Sequence, residues 1–270
     1  MSPSRLVLVL LFAFGSSLAS AQQTATTSPP AAATEGAVVL QKALAALAPT
    51  THITDVTLSG TARRFAGSDD ESGTAVLKAL AGTGSRIDLS FPSGPRTETR
   101  NTSGEPVGSW SGPDGVSHSA SSHNVLADPG WFPAFTLASL ITSQNAVITY
   151  IGLETKNGTA VIHLGASRQF REVPADLAPL LQHLTEVDIF LDANSYLPAA
   201  VTFNIHPDNN ALLDIPVEIR FSDYGSNSGA QVPFHVQKFI NNSLSLDLQF
   251  DSAAINSGVP TNSFSVGAGL

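Results

Sequence analysis

The sequence feature that most constrains the fold is a strict alternation of apolar and polar residues in the C-terminal half. Between Leu244 and Asp251 every second residue, beginning with Leu244, is apolar, and the residues between them are polar. In Val187–Asp192 positions 187, 189 and 191 are likewise apolar, and Asp188 and Asp192 fall on the opposite face. Successive side chains of a β-strand point to opposite faces of the sheet. These segments therefore predict strands with one buried face and one face in water.

Short gaps rich in turn residues separate the strand-like segments along most of the chain. Asn157-Gly158, a dipeptide typical of hairpin turns, lies in one such gap, and Gly82-Thr83-Gly84 lies in another. Gaps of this length join antiparallel neighbours, because parallel neighbours need a longer crossover. We therefore expect a mainly β protein of the α+β class. Its single, strongly curved antiparallel sheet would have about eleven strands and form a half-open barrel.

Three segments have a helical pattern instead. Residues 35–47 have apolar positions at helical spacing, with Thr34 as a candidate N-cap and Pro49 as a stop signal. In the segment 123–142, the part from Pro133 to Ile141 is apolar on most faces, which is typical of a buried helix. Residues 174–183 predict a third helix. We expect the helices to cover the concave face of the sheet.

The N-terminal residues 1–21 have the three parts of a secretory signal peptide. A basic start precedes an apolar run from Leu6 to Phe14, and small residues end at Ala21. A membrane-spanning helix needs about 20 apolar residues, so this run predicts cleavage after Ala21, and no integral membrane span is expected elsewhere. The polar residues 22–34 predict a flexible linker. Residues 35–270 are expected to form a single β domain.

The composition limits the compartment and the partners. Cysteine is absent, so no disulfide can stabilise an exported chain, and no cysteine follows the apolar run to carry a lipid anchor. We therefore expect a soluble protein in the periplasm or outside the cell. The formal net charge of −9 argues against a nucleic-acid partner, because phosphate backbones repel an acidic surface.

The residues typical of catalytic and metal sites form no recognisable motif. The seven histidines contain no HExxH pattern, and His118 and His123, five positions apart, are more typical of a polar surface than of a metal site. Serine does not occupy the central position of a nucleophile elbow in the glycine-flanked segments 108–112 and 225–229. We expect no enzyme, no cofactor and no metal, and we assign no catalytic residue.

Large apolar side chains are the remaining distinctive feature. They are more typical of a filled hydrophobic core, but they also suit the lining of a cavity for an acyl chain between a curved sheet and its helices. If such a cavity exists, the candidate ligand-binding residues are Trp110, Trp131, Phe132, Phe135, Leu140, Phe203 and Phe221.

The segment Val187–Val266 has a specific order of features. Leu197-Pro198 opens a strand, Ile219–Tyr224 lies in the next, and Asn256 and Phe264 follow the last alternating strand. This order resembles the LolA family of periplasmic lipoprotein carriers. The resemblance implies an unclosed, strongly curved antiparallel sheet with helices as a lid, and a role in carrying acyl chains or sensing lipids in the cell envelope. It transfers no functional residue to this chain.

Two functions remain open from the sequence. The first is an exported carrier or binding protein for a lipid, an acyl chain or another hydrophobic ligand. The second is a non-catalytic structural or protein-interaction module of the envelope, with a filled core and a specific protein partner. A continuous apolar cavity between sheet and helices would favour the first function, and a filled interior would favour the second.

Overall fold

A computed structural model of the chain describes residues 31–127 and 130–266. The predicted signal peptide and residues 22–30 of the predicted linker lie outside the described residues. The helices are α1 (Ala31–Leu47), α2 (Ser122–Ala127), α3 (Pro133–Thr142) and α4 (Ala178–His183), and a 3-10 helix spans Thr261–Phe264. The strands are β1 (Asp55–Ala66), β2 (Asp69–Leu80), β3 (Gly84–Phe91), β4 (Gly94–Asn101), β5 (Val107–Ser111), β6 (Ser117–Ala120), β7 (Ala146–Lys156), β8 (Thr159–Arg168), β9 (Val187–Asp192), β10 (Pro198–Ile205), β11 (Ile215–Asn227), β12 (Ala230–Ile240) and β13 (Ser243–Ile255).

All thirteen strands form one antiparallel sheet, in the order β6-β5-β4-β3-β2-β1-β13-β12-β11-β10-β9-β8-β7. The sheet is not closed, and β6 and β7 are its edges. Apart from the pair β1–β13, every pair of neighbours is consecutive in the chain. The expected count of about eleven strands is too low. The strands β5 and β6 are only five and four residues long, so they show little alternation and are defined by their pairing, β5 with β4 and β6 with β5.

The predicted alternation in β13 is confirmed. Leu246, Leu248 and Phe250 are buried in the main hydrophobic core, whereas Gln249 and Asp251 are exposed. The apolar side chains of the sheet therefore collect on one face.

The sheet curls strongly toward this apolar face. Lys238 of β12 and Glu98 of β4 lie five strand positions apart, a distance of about 24 Å across a flat sheet. Their side chains nevertheless form an ion pair at 3.4 Å. Asn124 of α2 also donates a hydrogen bond of 2.8 Å to the carbonyl of His206, directly after β10. The first edge of the sheet is thus brought over the strands β10–β12.

Helices cover part of this concave face. Leu40, Ala43 and Leu47 of α1 are fully buried, and α1 contacts both β7 and α3. The approach to β7 is close enough to require glycine at Gly36, because a Cβ there would lie 3.0 Å from the backbone nitrogen of Tyr150. No helix in the described residues is long and apolar enough to cross a membrane.

The helix boundaries differ from the sequence prediction. α1 already includes 31–34, so the last four residues of the expected linker are helical, and Thr34 lies inside the helix instead of capping it. The segment 123–142 holds two helices, α2 and α3, and the third predicted helix is reduced to Ala178–His183. Residues 174–177 form a turn instead, in which the backbone of Leu177 donates to the carbonyl of Pro174 at 2.9 Å.

Asp55, at the start of β1, ties the segment after β13 to the sheet. Its carboxylate is buried and accepts hydrogen bonds from the backbone and hydroxyl of Ser257, at 2.8 and 3.0 Å, and from the backbone of Gly258, at 3.2 Å. Burial alone would raise the pKa of Asp55, but the hydrogen bonds from Gly258 and Ser257 outweigh it and hold the pKa below the ordinary aspartate value.

Replacing Asp55 by asparagine should destabilise the fold by about 1–3 kcal/mol at pH 7, because an amide nitrogen would face the donors that the carboxylate now satisfies. Since the folded-state pKa is depressed, this contribution is present above the unfolded-state pKa of about 3.9 and is lost as the pH falls through the folded value. Urea unfolding at pH 7 and at pH 3 measures both effects. The exposed Asp251→Asn variant is the control. Equal stability of the Asp55→Asn and wild-type proteins at pH 7 would contradict the assignment.

Candidate functional site

The part of the concave face that α1 and α3 leave uncovered contains a cavity of about 380 Å³. We call it the concave cavity. Strands β1, β3, β4 and β5 supply one wall, and β12 and β13 supply the other. The apolar part of its lining consists chiefly of Ile87, Leu89, Trp110, Trp131, Ile240 and Leu246.

The two tryptophans contribute in different ways. Trp131 is only 3% exposed and forms a buried part of the lining, whereas Trp110 is 49% exposed and stacks on His118 at a ring-centroid distance of 4.3 Å. Lys238 lies 5.1 Å from the centroid of the Trp131 ring, a geometry in which the cation is attracted by the aromatic face. The cavity is therefore bordered by an exposed aromatic side chain and a buried one.

Charged side chains of the lining are held in ion pairs. Lys238 pairs with Glu98, and Arg64 and Arg96 both reach Glu71, at 3.3 and 3.8 Å. Three cations thus lie beside the apolar wall.

Oε1 of Glu71 faces the two arginines, and its other carboxylate oxygen, Oε2, is also bound. It accepts a hydrogen bond of 3.1 Å from the backbone of Ser93. Together with the nearby arginine charges, hydrogen bonding to Ser93 holds the pKa of Glu71 below its ordinary value. Glu71 therefore stays ionised at neutral pH and fixes the two arginines at the rim.

Two smaller recesses adjoin the concave cavity. The first, of about 210 Å³, is lined by Trp131, Phe132 and Phe135 among others. The second, of about 240 Å³, is lined by Trp110 and Phe203 and shares the Lys238–Glu98 pair with the concave cavity. Trp131 lines both the first recess and the concave cavity, and Trp110 and the ion pair line both the second recess and the concave cavity, so the three spaces are neighbours.

The structure brings together five of the seven candidate residues. Trp110, Trp131, Phe132, Phe135 and Phe203 each line at least one of the three spaces. Leu140 and Phe221 line none of the three and pack in the hydrophobic core. That these residues contact a ligand stays a prediction.

Sequence reasoning missed most of the cavity wall. Ile87, Leu89 and Leu246 occupy ordinary inward positions of alternating strands. Alternation identifies the inward face, but it does not say which part of that face the helices leave uncovered. Lys238 could have been recognised from the sequence, because it is a charged residue at an inward position of β12, among apolar neighbours.

A second group of side chains lies at the end of β10. The Nε2 atoms of His183 and His206 are each 3.0 Å from Oδ1 of Asp214. The hydrogen bond to Asp214, with a second one to Glu186, raises the pKa of His183. Burial raises the pKa of Asp214, but hydrogen bonds to the two histidines outweigh it and lower the pKa overall. His118 and His123 were the pair considered from the sequence, whereas the fold brings His183 and His206 together at Asp214.

No protein-family model matches this chain, and no curated protein matches it in sequence. Solved structures do match it in fold. A domain assigned to outer-membrane lipoprotein sorting from Vibrio parahaemolyticus aligns with 86% of this chain and 97% of its own, with a TM-score of 0.55 and 16% identity. A DUF1329 family protein from Desulfovibrio piger covers 87% and 97%, with a TM-score of 0.55 and 8% identity. A LolA superfamily protein from Nitrosomonas europaea covers 85% and 97%, with a TM-score of 0.52 and 11% identity. The chain therefore has a LolA-like fold, as the sequence resemblance predicted.

The two tryptophans are the only ones in the sequence and should report on the cavity separately. In a Trp131→Phe variant, the remaining half-exposed Trp110 should emit at long wavelength and be strongly quenched by acrylamide. In a Trp110→Phe variant, the buried Trp131 should emit at shorter wavelength and resist quenching. Stern–Volmer plots measure the difference. Equal quenching of the two variants would contradict the described exposure of the cavity wall.

Proposed function

We propose that this chain is an exported, non-catalytic protein of the cell envelope that binds and carries an acyl chain or a similarly elongated hydrophobic ligand in the concave cavity. The observation that carries the proposal is the uncovered, apolar part of the concave face, with its volume of about 380 Å³. This volume lies within the range of ligand-binding pockets, about 300–1,000 Å³. The LolA-like fold supports the proposal by analogy alone.

The lining explains why an apolar chain would be preferred. Ile87, Leu89 and Leu246 offer aliphatic contact, and burying apolar surface contributes about 25 cal/mol per Å². A chain laid along this wall would pass between Trp110 and Trp131. It would remove from water chiefly its own surface and that of the half-exposed Trp110, because Ile87 and Trp131 are already only 1% and 3% exposed.

The rim favours an acidic or neutral head group over a basic one. Arg64, Arg96 and Lys238 lie beside the apolar wall. The two carboxylates that pair with them, Glu71 and Glu98, leave one positive charge in excess. A carboxylate or phosphate at the mouth would therefore meet more positive than negative charge. Charge-assisted hydrogen bonds to arginine would hold such a head group while the tail occupies the wall.

One observation favours the alternative, a non-catalytic module that binds an envelope protein. The edge strand β7 exposes apolar side chains on its outer face, with Val147 38% and Ile151 54% exposed. Exposed edge strands with apolar side chains readily pair with another chain. This surface is remote in the sheet order from the strands that form the concave cavity, so substitutions can separate the two functions.

The Leu89→Arg variant tests the carrier proposal. It places a charge in the apolar wall and should weaken binding of a brominated fatty acid at least tenfold, since an unpaired charge in an apolar site is strongly disfavoured. Bromine quenches tryptophan fluorescence, and both tryptophans border the cavity, so the titration can be followed without a label.

Ile151→Arg is the matched control, because it likewise replaces an apolar strand residue by arginine, but on the outer face of β7, and it should bind like wild type. Circular dichroism and thermal melting establish that both variants are folded. Failure of the wild-type protein to bind at micromolar concentration, or equal affinity of the two variants, would overturn the proposal. Loss of a protein partner in Ile151→Arg, with no ligand binding by wild type, would support the alternative.

A further inference from the structure

The group at the end of β10 is assembled from three separate pieces of the chain. His183 is the last residue of α4, His206 directly follows β10, and Asp214 directly precedes β11. The hairpin between β10 and β11 thus places His206 and Asp214 side by side, and α4 brings His183 against them. None of the three lines the concave cavity.

The geometry of these side chains is that of a compact ligand set. The nitrogen atoms of His183 and His206 and the carboxylate of Asp214 all lie within 4.8 Å of one another. Both Nε2–Oδ1 distances are 3.0 Å. Tetrahedral zinc, with bonds of about 2.0–2.1 Å, holds its ligand atoms roughly 3.3 Å apart. Small side-chain rotations would therefore allow the three atoms to share one ion.

Burial gives a second, independent observation. The side chain of His206 is 1% exposed, and its Nδ1 atom has no hydrogen-bond partner among the described residues. The same is true of Nε2 of His123, whose ring meets that of His206 edge-on at 5.9 Å. Buried polar atoms without partners are uncommon and mark sites where water or an ion is expected. The unpartnered Nδ1 of His206 lies on the side of the ring away from Nε2, so it marks a place for a bound water beside the ligand set and is not itself a ligand of the ion.

The surroundings hold the ligands in place. Nδ1 of His183 lies 3.2 Å from Glu186, an arrangement in which a carboxylate orients a histidine whose other nitrogen binds metal. Asn124 holds the backbone of His206 from both sides, accepting from its N–H at 2.7 Å and donating to its carbonyl at 2.8 Å.

We propose that His183, His206 and Asp214 form a binding site for a divalent transition-metal ion, with zinc as the preferred occupant. Two imidazoles and one carboxylate suit zinc and its neighbours in the first transition row, whereas magnesium and calcium prefer oxygen ligands throughout. Three protein ligands leave the fourth position of a tetrahedral ion for water or for a ligand from another molecule. The ion would join α4 to the β10–β11 hairpin. This site is independent of the proposed carrier function.

Zinc binding to the full mature protein, without an affinity tag and after removal of metals with a chelator, tests the proposal. Isothermal titration calorimetry should show one zinc site per chain with micromolar or tighter affinity. Zinc should also raise the melting temperature, since an ion that binds only the folded state stabilises it. His183→Gln and Asp214→Asn should each weaken binding at least tenfold. His183 is partly exposed, so its replacement leaves the core intact.

The matched control is His235→Gln. His235 lies 2.7 Å from Asp247, so the variant removes a histidine–aspartate pair of the same chemistry that has no second imidazole in reach. This variant should bind zinc like wild type. Absence of a stoichiometric site, or unchanged affinity in both His183→Gln and Asp214→Asn, would overturn the proposal and leave the group as an ion-pair network. A greater loss in His235→Gln than in His183→Gln would also overturn it.

Discussion

A thirteen-stranded sheet with one apolar face has to remove that face from water, and the helices available to do so are few. Laid flat, such a sheet would be about 58 Å wide, whereas a helix with its side chains is only about 10–12 Å across. Curling brings the first edge over the strands β10–β12, as the Lys238–Glu98 pair demonstrates. The helices α1 and α3 then fill one part of the enclosed space. The remaining part is the concave cavity. The candidate site therefore exists because the helices are too few to cover the whole apolar face of the sheet.

The Lys238–Glu98 pair also divides the enclosed space. Lys238 bonds to Glu98 and faces the ring of Trp131, and both charged residues separate the concave cavity from the recess beside Phe203. A partly buried ion pair contributes little net stability, because desolvation offsets much of the attraction.

The architecture could be predicted from sequence because it depends on a period of two and on turn residues, both of which are local signals. The alternation in β13 correctly predicted that Leu248 and Phe250 lie on the buried face of the sheet. Tryptophans 110 and 131 were recognised as candidates because large aromatic residues are conspicuous in any sequence. Ile87 and Leu246 were not, because an inward residue beneath a helix and one lining a cavity have the same sequence pattern. The histidine group was missed for a related reason: His206 and His183 lie eight and 31 residues from Asp214, and only the hairpin and α4 bring them together.

The uncovered part of the concave face is the proposed place for an apolar chain. A crystal structure of the protein with a fatty acid brominated near its methyl end would locate that chain, since the anomalous signal of bromine marks the tail independently of how the ligand is built. If the proposal is right, a bromine peak should lie between Trp110 and Trp131, beside Leu89. A peak confined to the outer face of β7, or a bromine-free cavity in crystals grown with saturating ligand, would contradict it.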